Sequence, residues 1–431
     1  MLYCKFFLKG GVVKIKKMMK YHKKYVKKKL VVEMEAKEGA VGLGPSEADI
    51  NLDSTDIFAV PDVNQELLDG FSQEYQTNLG GNLEGPYEFD IRTDGKFYIL
   101  LLQTRLFGEF TVTKKDGTPL TTTDKVALTN NAAHGLFKHV EVQINEIGVS
   151  DTTSSCYGYK SMIETLISYG KEAKKTHLTT SLIHKDEAGK FESTSITGDD
   201  TNDGFPTRRK MLIHSTAGQL KPVQFEIPIF NDFLMNSKML PSACRLRIKF
   251  VRQSDSFVLM SDADDYKINI NNLRLYCHKV RLRDDILLEH RRLFTDYSAV
   301  FNVARTRIKT YLVYKGAESE VLPNVVKGQL PRNVVIAMVD TTAFNGSVKK
   351  NPYNFQHFDI ETIFVRKNGV SYPAVVPKND FKNGLAMRSY RALFDSTGIF
   401  HGDRGNDITY DEFINGYTLF AYDLSPDKCN G

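Results

Sequence analysis

The chain has 431 residues, 41% of them hydrophobic and 25% charged, with a formal net charge of +5. That length suits two or three domains, each able to bury a core without a metal or disulfide staple. The five cysteines (Cys4, Cys156, Cys244, Cys277, Cys429) are odd in number and lack any Cys-x-x-Cys spacing, which excludes a dense disulfide framework and points to a reducing compartment.

The charge is unevenly laid out. Residues 1–29 hold eleven of the 57 basic residues and no acidic one, which leaves 46 basic against 52 acidic residues in the remainder. The expectation is a disordered arm over residues 1–54, basic at first and then polar from Glu33 to Ser54, with folded structure starting near Ile57. Lys14, Lys16, Lys17, Lys20, Lys23, Lys24, Lys27, Lys28 and Lys29 are the candidate nucleic-acid contacts, since such a run can neutralise phosphates and bind in a salt-dependent, sequence-independent way. No stretch approaches the ~18 consecutive apolar residues of a membrane span. Lysines interrupt the Phe6-Phe7-Leu8 run before it could serve as a signal core, so a cytosolic or nuclear origin is expected.

Beyond the arm, strands dominate. In Lys138-HVEVQI-Asn145, Val140, Val142 and Ile144 share one face while His139, Glu141 and Gln143 share the other. Leu246, Ile248 and Phe250 alternate with Arg245, Arg247 and Lys249, and Ile308, Thr310 and Leu312 alternate with Arg307, Lys309 and Tyr311. These patterns predict half-buried antiparallel strands. Asp116-Gly117 and Asn368-Gly369 sit between such runs and predict tight turns. One helix is predicted, where Tyr159, Met162, Ile163, Leu166 and Ile167 recur at helical spacing before Gly170. Many short strands with few helices predict an all-β fold of sandwich type. The aromatic strands Phe225–Phe230 and Tyr417–Tyr422 each enter a polar turn. In the first half two further strands follow, Cys244–Val251 and Lys267–Cys277. After Tyr422 none do, and a second sandwich lacking its last strands is expected.

Signatures of catalysis are sparse. Gly95-Lys96, Gly170-Lys171 and Gly189-Lys190 are followed by Phe, Glu and Phe, so none opens a phosphate-binding Gly-Lys-Ser/Thr loop. His134 and His139 are read as lying on one strand with opposite faces, and Cys156 as a structural thiol at a loop–helix junction. Asp262, Asp264 and Asp265 form an acidic loop, but Lys267 stands where a calcium loop needs its turn glycine. The Arg305-Thr-Arg-Ile-Lys-Thr-Tyr311 run reads as an amphipathic strand before it reads as a base-stacking surface. No catalytic, metal or cofactor-binding residue is assigned.

The segment Gly328–Phe358, GQLPRNVVIAMVDTTAFNGSVKKNPYNFQHF, runs from a β-rich stretch into a polar loop. It resembles the second jelly roll of the major capsid proteins of Polinton (Maverick) elements and adintoviruses. Asp56–Pro61, Leu136–Val142, Tyr159–Lys175, Arg281–Phe294 and Gly416–Asp427 match the same family in order and spacing, so the resemblance covers residues 55–427. It implies an all-β double jelly roll, with a first sandwich at 55–283 and a second at 284–431 bridged by Arg281–Phe294. It also implies a structural, non-enzymatic protein that forms homotrimeric pseudo-hexagonal capsomers and contacts neighbouring capsomers and a minor capsid or penton protein. The basic arm would face packaged DNA, and the protein would reside in the virion after assembly in nucleus or cytoplasm, without secretion or membrane insertion. Family members continue past the equivalent of Asp427, so a truncated or endogenised copy is expected. The alternative is a host-adopted jelly-roll module that binds glycan or nucleic acid.

Overall fold

The computed structural model describes the backbone of residues 2–9 and 12–14. It then describes residues 66–425 except 78–83, 94, 151–155, 243, 324 and 327. The fold is an all-β double jelly roll. In chain order its strands begin with β1 (Leu2–Lys9), β2 (Val12–Lys14), β3 (Leu67–Gln76), β4 (Tyr87–Ile91), β5 (Phe97–Lys114) and β6 (Val126–Leu128). They continue with β7 (Phe137–Ile144), β8 (Ile147–Gly148), β9 (Val223–Pro228), β10 (Leu246–Arg252), β11 (Leu259–Ser261) and β12 (Tyr266–Leu282).

Two four-stranded sheets make the first sandwich, ordered β3-β12-β5-β9 and β4-β10-β7-β8, with β6 and β11 as a small pair beside them. Taking β3, β4, β5, β7, β8, β9, β10 and β12 as first to eighth, one sheet reads first, eighth, third, sixth and the other second, seventh, fourth, fifth. This interleaving is the double Greek key of a jelly roll. The alternation in sequence sets which face is inside. Val142 and Ile144 of β7 and Leu246, Ile248 and Phe250 of β10 are buried, and the intervening polar residues are half-exposed. Phe89, Phe137, Tyr87 and Phe250 interlock by edge-to-face and tilted contacts at 5.0–6.4 Å between ring centres, the geometry that the aromatic quadrupole favours.

The second half contributes β13 (Val300–Asn302), β14 (Thr306–Val313), β15 (Asn333–Asp340), β16 (Val365–Lys367), β17 (Val370–Tyr372) and β18 (Leu419–Asp423). Its large sheet has the order β14-β1-β15-β18, and β13 pairs with β2. Residues 2–9 and 12–14 therefore form strands, a correction to the expectation of a disordered arm throughout 1–54. The cause is non-local: eight residues of extended chain satisfy the facing backbone groups of both β14 and β15, which local charge content does not reveal. β16 and β17 form the predicted hairpin around Asn368 and Gly369, with φ of 50° and 83°, where glycine and asparagine tolerate the left-handed region. After β5 the left-handed position is Gly117, and the amide of Lys114 donates to Thr118 O at 3.0 Å.

Helices are more numerous than the single one predicted. That one is α1 (Tyr157–Ser168), whose Tyr159, Met162, Ile163 and Leu166 are buried as their spacing required. The others are α2 (Lys171–Lys175), α3 (Gly204–Leu212), α4 (Asp284–Asp296), α5 (Met387–Thr397) and α6 (Tyr410–Ile414), besides short helical turns. α4 joins the two halves; Asp284 and Asp285 favour its N-terminal turn, and Leu287 is its buried residue. α5 ends at Gly398, with φ 75°, and α6 begins with a capping box between Thr409 and Glu412. A single apolar cluster runs from Phe89 and Phe250 through Tyr159 and Tyr353 to Phe413 and Phe420, so the two sandwiches share one core.

Candidate functional site

The residues that join the halves come from a long insertion between β8 and β9 and from the loop that follows β15. Arg208 of α3 is fully buried. Its Nε donates to Leu128 O at 2.7 Å, Nη1 to His184 O, and Nη2 to Asp186 Oδ1 at 2.5 Å. Asp186 Oδ1 also accepts from Asn202 Nδ2 at 2.7 Å, and Oδ2 accepts from Asn351 Nδ2 at 3.0 Å. Tyr417 closes the knot by donating its hydroxyl to the Asp186 carbonyl at 2.7 Å. A buried charge is tolerated when it is both paired and hydrogen-bonded, and here each charged group has several partners. Asn351 and Tyr417 belong to the second half and Asp186 and Arg208 to the first, so the knot fixes one sandwich against the other.

The polar loop that follows β15 turns inward at its centre. Asn351, Tyr353 and Phe355 are 0–1% exposed, because Asn351 answers Asp186 and the two rings enter the shared core. Lys350 nearer the surface meets Glu192 at 2.8 Å.

A second polar cluster lies where α2 meets the turn before α6. Lys174 donates to Asn406 O at 2.6 Å and stands 3.9 Å from Asp407 Oδ2, while Lys185 meets Asp407 at 3.3 Å and Glu412 at 2.7 Å. Burial pushes the Lys174 amine down to about 8, outweighing the attraction of Asp407. An unfolded Lys keeps its proton to about 10.4, so between pH 8 and that value the unfolded chain binds more protons and this residue's contribution to stability rises with pH. Below pH 8 the cost of burying the charge is constant. Subtracting the pH–stability curve of Lys174→Met from that of the unaltered chain should give a difference that is flat at pH 6–7.5 and climbs between pH 8 and 10. A difference flat across that whole range would contradict the assignment.

The residues singled out for chemistry are dispersed. Lys14 ends β2, opposite Val300 of β13, and Lys16, Lys17, Lys20, Lys23, Lys24, Lys27, Lys28 and Lys29 lie outside the described residues, as do the Glu33–Ser54 linker and Asp56–Pro61. His134 sits on a short helical turn, Ala132–Gly135, and not on the strand with His139, because Asn131 adopts a left-handed conformation (φ 54°) that breaks the extended chain. His134 Nδ1 lies 3.0 Å from the Tyr157 hydroxyl, and full burial pushes the imidazole down to about 3. Cys156 is buried at the start of α1, and burial raises the Cys277 thiol to about 12, an environment that disfavours its thiolate. Asp262 and Asp264 of the acidic loop face Lys125 at 3.5 Å and Lys115 at 3.2 Å, a set of exposed ion pairs. Among the described residues no group of three His, Cys, Asp or Glu side chains is placed to hold a metal ion. No helix among them is long and apolar enough to cross a membrane.

The outer surfaces are of two kinds. On the β4-β10-β7 face, Lys249 lies between Glu88 and Glu141, and Arg247 between Asp90 and Gln143, so a basic row runs between acidic and polar rows. Arg245 grips Asp90 at 2.7 and 2.8 Å and holds that carboxyl down at about 2. At the end where α4 packs, β3 stands at the edge of its sheet with Leu68 and Phe71 exposed, and α4 exposes Leu288 and Leu293. A sheet edge beside exposed apolar side chains is the kind of surface that proteins cover by association. Sequence patterning had offered no means of locating it, since exposure is set by which strand ends up at an edge.

No protein-family model matches the chain. An uncharacterised protein of Caenorhabditis elegans, F54H12.2, is 24% identical over 356 residues, covering 80% of this chain and 81% of that protein. Among solved structures, the Faustovirus major capsid protein aligns with a TM-score of 0.33 at 11% identity, over 61% of this chain and 62% of that one. The Sputnik virophage structure aligns with a TM-score of 0.39 at 8% identity, over 57% and 53%. The mavirus major capsid protein aligns at 0.31 and 12%, over 57% and 52%. The chain therefore spans less than two thirds of the length of each of these solved chains.

Proposed function

We propose that the chain is a structural major capsid protein that associates as homotrimers, the three double sandwiches forming a pseudo-hexagonal capsomer of an icosahedral shell. The observation that carries this reading is the likeness of the all-antiparallel sheets β3-β12-β5-β9 and β14-β1-β15-β18, one from each half, set in one shared core and locked by the Asp186–Arg208 knot. Such a unit behaves as a rigid block with two similar lobes, and three blocks around an axis present six lobes. The sequence resemblance to Polinton and adintovirus capsid proteins over residues 55–427 supports it independently. In this reading the division falls at residues 55–283 and 284–431, α4 bridges the lobes, and the gene is that of a virus-like transposon or an endogenised copy. Neighbouring capsomers and a minor capsid or penton protein are its partners, the lysines between Lys14 and Lys29 contact packaged DNA, and the protein ends in the virion. No catalytic step is assigned to it.

Electron microscopy of the purified, concentrated chain tests this. Three-fold particles with a hexagonal outline are expected. A uniform field of single double-lobed particles at all concentrations would refute the shell-building reading and favour a ligand-binding module.

A further inference from the structure

The sheets β3-β12-β5-β9 and β14-β1-β15-β18 differ in the origin of one strand. In the first sandwich, β12 lies between β3 and β5 and runs antiparallel to both. In the second, the equivalent place lies between β14 and β15, and β1 occupies it, again antiparallel to both neighbours. Place and direction are thus conserved between the halves, while the strand itself arrives from the opposite end of the chain.

We propose that the cleft between β14 and β15 is a strand-acceptor site, and that its occupant is this chain's own segment Leu2–Lys9, held as a separable ligand in cis. Two rows of backbone groups recognise it. Leu2 to Lys9 face Val313 to Thr306 on one side, and Leu2 to Leu8 face Asp340 to Val334 on the other. Binding of this sort is an addition of an extended peptide to a sheet, with both edges used at once, so main-chain hydrogen bonding supplies much of the affinity. Behind the cleft, Val334 to Val339 of β15 are buried throughout, and Ile308 of β14 with them. An empty cleft would leave facing polar backbone groups unsatisfied beside a core, which is costly.

The connection does not dictate the partner sterically. Between Lys14 and Leu67 lie 52 residues, which fully extended reach about 170 Å. Tethering favours the chain's own segment, because a linker of that length still gives a high effective concentration. The pairing of β2 with β13, Lys14 opposite Val300, provides a second anchor on the same half. This inference does not depend on whether the chain builds a shell.

The register supplies a test. Cys4 lies opposite Tyr311 of β14, and directly opposed residues of antiparallel strands have Cα atoms about 4.5–5.5 Å apart, within disulfide range. In the full chain carrying Cys244→Ser and Cys429→Ser, adding Tyr311→Cys and a mild oxidant should produce a disulfide to Cys4 within one chain. It would be seen as a mobility shift on non-reducing gels and confirmed by peptide mapping, and it should be absent when Cys4→Ser is also present. A disulfide joining two chains would overturn the cis assignment, and no disulfide would overturn the register. As a second measurement, deletion of residues 1–14 should abolish hydrogen-exchange protection in Thr306–Val313 and Val334–Val339. A synthetic peptide of residues 1–14, but not a scrambled one, should restore it at one peptide per chain. Unchanged protection after deletion would refute the site. If the deletion variant does not fold without peptide, refolding with and without the two peptides makes the same distinction.

Discussion

Asp186→Ala should be among the most destabilising single substitutions in the chain, costing about 3–5 kcal/mol of unfolding free energy, the range for removing one member of a buried ion pair. The reason is the state in which it leaves Arg208. The guanidinium has no exposed surface, and its two remaining acceptors are neutral carbonyls, those of Leu128 and His184. Asn202 and Asn351 each lose an acceptor for a side-chain amide at the same time. An unsatisfied buried donor costs about 1–3 kcal/mol, so the losses compound instead of being absorbed by solvent. Replacing both partners, Asp186→Leu with Arg208→Met, should recover part of the stability, because no charge is then left buried. Recovery should be incomplete, since the Leu128 and His184 carbonyls remain without the guanidinium. Urea unfolding of Asp186→Leu, Arg208→Met and the double variant checks this; a double variant whose loss equals the sum of the two single losses would show that the pair does not act as a unit.

Gly416→Ala should cost about 2–4 kcal/mol, from two sources that add. Gly416 has φ of 126°, a region that side chains of L-residues rarely occupy, so any other residue there is strained. A Cβ at this position would also lie 2.2 Å from the Phe191 ring and 2.9 Å from Asn354 Oδ1. Phe191 cannot readily move aside, because it is 2% exposed and packs at 4.9 Å against Tyr417, which donates to Asp186. Overpacking of that kind typically costs about 1–3 kcal/mol. Phe191→Ala alone should cost about 3–5 kcal/mol as a cavity-forming change. The two together should cost less than their sum, because the alanine methyl at 416 enters the space that the ring vacates. Full additivity in thermal or chemical unfolding would mean that strain at φ of 126° is the whole effect and that the contact contributes nothing.

How far the sequence could be read follows from the range of each signal. Val140, Val142 and Ile144 of β7 and Ile248 and Phe250 of β10 alternate with polar neighbours, and alternation is a local consequence of burying one face of a sheet, so those strands were legible. Asn368-Gly369 was legible because its backbone conformation is a property of the two residues themselves. β1 was not, because its place depends on cleft edges some 300 residues away, and Lys5 and Lys9 made the segment resemble the rest of the basic arm. α4 escaped because its apolar stripe is thin, with Leu287 buried and Leu288 and Leu293 exposed. The interdomain knot was invisible for a different reason. Asp186, Asn202, Arg208 and Asn351 are residue types that usually face solvent, and only tertiary packing turns them inward. The aromatic residues around Asn351, Tyr353 and Phe355 were the available hint that this polar loop was not a surface feature.

The mass of the full chain in solution is the most direct test of the proposal that it is a self-associating building block. Sedimentation equilibrium over a hundredfold range of concentration, without added ligand, should give three times the chain mass, with no change on adding DNA fragments at high salt or a panel of glycans. A single-chain mass at every concentration, shifted only when one of those ligands is added, would contradict the account and identify a binding module built on the same fold.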